Sequence, residues 1–114
     1  MNFADYERGG QRLYGEFAEA TAAILKMALA SKPDLPLQEV QFRAKDPTSL
    51  GRKLENRQLA ECLDITDEIK DLAGCRLIFY TNTDVEAFAQ SRLLHENFDV
   101  DYDRTKIHYP HWPR

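Results

Sequence analysis

Cysteine is scarce in this chain. Its two cysteines, Cys62 and Cys75, cannot build a disulfide framework. Neither has companions at the spacing a zinc site needs, so both read as buried thiols. Long apolar runs are also missing. The longest, "AAIL" and "LIFY", fall far short of the roughly 20 residues that span a bilayer. The opening "MNFADYERGG" has no basic segment leading into an apolar run, so no secretory signal is read and a cytoplasmic location is expected. Positive charge is outnumbered, with 15 Lys and Arg against 19 Asp and Glu and a formal net charge of -4. That balance argues against broad, nonspecific nucleic-acid binding, which needs a basic face. There is no glycine-rich phosphate loop, so neither the P-loop nor the dinucleotide fingerprint applies. Internal repeats and low-complexity segments are absent too.

What is present fits one soluble globular domain: 114 residues, 43% hydrophobic and 30% charged. Residues 3–30 carry Phe3, Tyr6, Leu13, Phe17, Ile24 and Met27 at helical spacing, with Tyr14 and Leu25 widening the stripe. This predicts a long amphipathic helix with Phe17, Ile24 and Met27 buried, ended by Pro33 and Pro36. β-formers predict a strand over 38–45. Asp46 as N-cap and Pro47 at the first helical position predict a helix from 47 to about 62. A short helix follows, capped by Asp64 or Thr66 and stopped by Gly74. "CRLIFYT" predicts a strand, central in the sheet because it lacks polar alternation after Arg76. "DVEAFAQSRLLHENF" predicts one helix, and "DVDYDRT" a third strand with Val100 and Tyr102 alternating. The expected class is α+β: a mixed β-sheet flanked by helices.

One stretch runs against the acidic background. "VQFRAKDPTSLGRKLENR" holds Arg43, Lys45, Arg52, Lys53 and Arg57, five of the fifteen basic residues. Arg43 and Lys45 are two apart on a strand and share a face. Ser49 and Lys53 are four apart on a helix and stack along one side, leaving Leu50 and Leu54 for the core. The helix start adds N–H groups and partial positive charge. Such convergence suits phosphate, although a solvated helix face produces the same pattern. In "DLAGCRLIFY", Asp71 sits at the mouth of a strand, where a carboxylate can hold Mg²⁺ beside phosphates. Arg76 can stack on a base. The ordinary alternative is a capping Asp and a surface Arg. His95 reads as a cation near a helix C-terminus. His108 and His111 do not read as a zinc pair with Pro110 between them, and Trp112 reads as a tail residue. Asp99, Asp101 and Asp103 read as a surface strand.

Together, R-x-K-x-x-x-S-x-x-x-K followed by D-L-A-G-x-R resembles the RelA/SpoT nucleotidyltransferase domain, the alarmone synthetase family, over roughly residues 38–106. The resemblance implies a β-polymerase-like mixed sheet. It also implies Mg²⁺-dependent transfer of pyrophosphate from ATP to a ribose 3′-hydroxyl of GDP, GTP or tRNA. Carried over by position, Arg43 and Arg76 would sandwich the adenine, Lys45, Ser49 and Lys53 would hold the phosphates, and Asp71 would bind the metal. The family's "YxSLH"-type acceptor segment and later catalytic Glu are not seen before Arg114. The chain therefore reads as the donor half of such a domain, expected to be inactive alone. The alternatives are a non-catalytic nucleotide-binding module or an interaction module whose long helix supports self-association.

Overall fold

Asn2 starts the first helix by accepting from the Asp5 N–H at 2.9 Å, while the Asn2 N–H donates to the Asp5 carboxylate at 3.1 Å. This reciprocal capping box satisfies two backbone donors that a helix start otherwise leaves open. In this computed structural model, which describes residues 1–101, helix α1 covers 3–30. It runs as Phe3–Asp5, a π-helical turn Tyr6–Gly10, and Gln11–Ala30. Strand β1 (Leu37–Ala44) follows, then α2 (Pro47–Asn56), α3 (Ile65–Glu68), β2 (Ala73–Phe79), α4 (Asn82–Gln90) and α5 (Leu93–Asn97). The chain is thus mixed α+β, with a long N-terminal helix on a small antiparallel sheet.

The caps form as the sequence predicts. The Asp46 carboxylate accepts from Ser49 N–H at 3.1 Å with Pro47 at the helix start, and Asp64 caps α3 through Thr66 N–H. Helix α2 stops at Asn56 rather than near 62, because Gln58 takes a left-handed φ of 58° that no helix continues. Gly74 does not stop a helix; it lies within β2. The helix expected over "DVEAFAQSRLLHENF" is broken in two. Ser91 Oγ donates to the Phe88 carbonyl at 2.7 Å and accepts from Leu93 N–H at 3.3 Å, while Arg92 turns left-handed at φ 60°. A serine bonded to its own backbone competes with the helical ladder.

The long helix buries the other apolar face from the one its large side chains mark. Phe17 is 64% exposed, Ile24 44%, Met27 77% and Leu13 60%, whereas Tyr6, Ala18, Ala22, Leu25 and Leu29 are buried. The cause is steric. A Cβ at Gly15 would lie 3.8 Å from Ala44 Cβ, and Cys75 Sγ donates to the Ala18 carbonyl at 3.3 Å. The small side chains let the helix backbone approach the sheet, which the bulky row could not do.

Strand β2 is not central. Among the described residues it has one neighbour, β1, in antiparallel register with Gln41 opposite Arg76, Phe42 opposite Cys75 and Arg43 opposite Gly74. Residues 99–101 are not in a strand, and the rest of the third expected strand lies outside the described residues, as do His108, His111 and Trp112. The cysteines also differ from expectation: Cys62 is half-buried and Cys75 exposed. Two apolar clusters anchor the chain. One joins Tyr6 to Leu50, Leu54, Ile65, Ile69 and Leu72. The other joins Leu25, Leu29, Leu35 and Leu93. The first lies directly beneath the basic cluster.

Candidate functional site

The Leu50/Leu54 row fixes α2 against the core, both side chains at most 2% exposed. Lys53, one position before Leu54, is thereby held at the edge of the buried row. Lys45 is fixed from two sides. Its N–H donates to the Leu72 carbonyl at 2.8 Å, and its own carbonyl accepts from the Tyr6 hydroxyl at 2.5 Å. Leu72 also sets the position of its neighbour Asp71. The three side chains meet: Lys45 Nζ donates to Asp71 Oδ2 at 2.9 Å, and Lys53 Nζ donates to Asp71 Oδ1 at 3.0 Å. Lys45 is 11% exposed and Lys53 28%, so solvent screens the pair incompletely.

Desolvation opposes ionisation of Asp71. The hydrogen bonds and charges of Lys45 and Lys53 outweigh it and hold the carboxyl at about 2. Two lysines around one aspartate leave the centre with one net positive charge. Burial pushes the Tyr6 hydroxyl up, partly offset by the nearby Arg43 charge, so it stays protonated and donates to Lys45. Although Cys75 is exposed as a residue, its sulfur lies against α1, and burial pushes the thiol up.

Arg43 and Arg76 lie on one face of the sheet. Arg43 faces Gly74 across the strands, and Arg76 follows Gly74 by two, so the arginines are diagonal neighbours. Diagonal positions are separated by about 7–8 Å. Long side chains at such positions are within reach of each other. Gly74 puts no side chain between them, and a Cβ there would meet nothing within 4 Å. The face forms a shallow depression of about 500 Å³ lined by Gln41, Phe42, Arg43, Gly74, Cys75 and Arg76. A separate groove of about 460 Å³, lined by Leu25, Leu77, Phe79, Phe88 and Phe98 among others, has no charged side chain in its wall.

Of the five clustered cations, Arg43, Lys45 and Lys53 thus gather near one strand end. Arg57 instead donates to the Glu68 carbonyl at 3.3 Å, and Arg52 lines another depression with Phe3 and Glu7. Ser49 is exposed on the first turn of α2, where the Asp46 carboxylate takes its N–H and Pro47 has none to offer. The helix start is therefore largely occupied by its own cap, and the lysine side chains supply most of the positive charge. Sequence reasoning assigned Asp71 and the lysines separate partners and missed that they bind each other. It also missed Tyr6 as the support of Lys45; the only signal was a tyrosine in an apolar stripe, which reads as core.

Asp71 is the one carboxylate at this centre, and among the described residues no three His, Cys, Asp or Glu group as metal ligands. Both of its oxygens face ammonium groups. Alone they make no site for a bare ion; Asp71 is the residue that would hold a Mg²⁺ brought by phosphate.

Compared with known proteins, the chain matches no family model, no curated protein and no solved structure. Among the described residues no helix is long and apolar enough to cross a membrane.

Proposed function

We propose that this chain binds ATP with Mg²⁺ as the donor side of a nucleotidyltransferase-type domain that transfers pyrophosphate to a ribose 3′-hydroxyl. The observation that carries the reading is the meeting of Lys45, just past β1, with Lys53 of α2 at Asp71, on a sheet whose open face carries Arg43 and Arg76. Lys45 and Lys53 bind phosphate oxygens. Arg43 and Arg76 hold the base between their guanidinium planes, with Gly74 as the floor. Ser49 offers its exposed hydroxyl to the same phosphates. In the transfer, the acceptor oxygen bonds to the β-phosphorus, the bond from that phosphorus to the α-phosphate oxygen breaks, AMP leaves and the hydroxyl proton is released. Mg²⁺ held by Asp71 and the phosphates would neutralise charge on the group in flight. The protein's part is to fix the donor and offset its charge. The motif resemblance to the RelA/SpoT domain supports GDP, GTP or tRNA as the acceptor.

Calorimetry with ATP and Mg²⁺ tests the reading. Lys53→Ala should weaken binding by about 1.5–3 kcal/mol, the range for a hydrogen bond to a charged group. Equal affinity in both proteins would remove this site. A second reading, an interaction module, is favoured by the exposed row Leu13, Phe17, Ile24 and Met27 on α1. A dimer by light scattering, together with no nucleotide binding, would select it.

A further inference from the structure

Each oxygen of Asp71 takes one ammonium, so the lysines that would receive phosphate already hold an anion. We infer, resting on the ATP-binding reading, that Asp71 is a built-in competitor for Lys45 and Lys53 that makes the site select metal-complexed polyphosphate over free polyphosphate. Two arrangements are open to an incoming phosphate. In the first, the lysines turn to it and leave Asp71, 44% exposed, as an unpaired carboxylate next to the incoming anion. In the second, each ammonium uses its spare donors to bridge carboxylate and phosphate. That holds like charges a few ångströms apart. Both arrangements are unfavourable for a bare polyanion. Both are relieved when the ligand brings a divalent cation, because the carboxylate then faces positive charge again. Lys45, 11% exposed and bonded to Asp71 at 2.9 Å, meets this competition most directly.

The test is calorimetric titration of tripolyphosphate into the full 114-residue chain, once with chelator and once with excess Mg²⁺. Wild type should bind the metal-free ligand weakly and gain on the order of tenfold with Mg²⁺. Asp71→Asn, which keeps an acceptor but removes the charge, should bind metal-free tripolyphosphate about tenfold more tightly than wild type. Its gain from Mg²⁺ should shrink to about threefold or less. Asp71→Ala serves as the second variant, and circular dichroism confirms the fold of each. The inference is overturned if the folded variants bind metal-free ligand no more tightly than wild type, or if Mg²⁺ helps all three proteins equally. Unfolding of both variants would make Asp71 a fold residue and overturn it as well. Binding that is alike in all three proteins leaves the ATP-binding reading standing. Absence of tripolyphosphate binding in every protein and condition removes both.

Discussion

Replacing Asp71 by Asn removes the shared anion of Lys45 and Lys53 and should cost stability that depends on pH. In the folded chain the Asp71 carboxyl is lowered from 3.8 to about 2. At about 1.36 kcal/mol per pKa unit, the linkage limit is roughly 2.5 kcal/mol. Because the side chain is 44% exposed, solvent screens part of this, and about 1 kcal/mol is the expected contribution. The folded value lies below the unfolded one, so the unfolded chain takes up the proton first as pH falls. The stabilisation is complete above the unfolded value of 3.8 and is lost as pH drops through about 2, with roughly half gone near pH 3. Protonated aspartic acid resembles asparagine in charge, so the two proteins should converge in that window. Urea denaturation at several pH values between 7 and 2.5 measures it. Wild type should exceed Asp71→Asn by about 1 kcal/mol at pH 7, and the gap should narrow steadily below pH 4. A gap that stays constant to pH 2.5, or no gap at pH 7, would refute the ion-pair reasoning.

Tyr6→Phe should destabilise by about 1–2 kcal/mol, because the Lys45 carbonyl loses a donor beneath the site; an unchanged urea midpoint would deny that link. Gly74→Ala should raise stability by about 0.5–1 kcal/mol, as alanine replaces glycine inside a strand with nothing within 4 Å of the new Cβ. The same change should weaken ATP binding more than tripolyphosphate binding, because the proposed reading sets only the base over that position; equal losses would place the base elsewhere. Ala18→Leu should cost about 1–3 kcal/mol by forcing α1 off the sheet, while Phe17→Ser should stay within about 0.5 kcal/mol. The reverse order in thermal melts would mean the bulky face is the buried one. The proposed site would hold the ATP donor, and no acceptor clamp is recognised among the described residues. The chain alone should therefore transfer no label from ATP to GDP, GTP or deacylated tRNA. Robust transfer abolished by Asp71→Ala would contradict this.

Local chemistry made several features legible in the sequence. Asp46 before Pro47, and Asp64 before Ile65, mark helix starts because a short acceptor side chain meets N–H groups two or three residues on, whatever the rest of the chain does. Strands β1 and β2 follow from runs of β-formers, and the density of Arg43, Lys45 and Lys53 marked a cationic centre before any geometry was known. Tertiary packing decided the rest. Hydrophobic periodicity counts apolarity and not shape, so it selected the row of Phe17, Ile24 and Met27, whereas close approach of helix to sheet required Gly15, Ala18 and Ala22. The break at Arg92 depends on one serine bonding its own backbone, a choice that helix propensity does not record. The partnership of Asp71 with Lys45 and Lys53 joins residues 26 and 18 positions apart. Contacts of that range exist only after α2 and β2 have packed on a common core, because the spacing of residues along a chain does not fix which distant side chains will share one desolvated place.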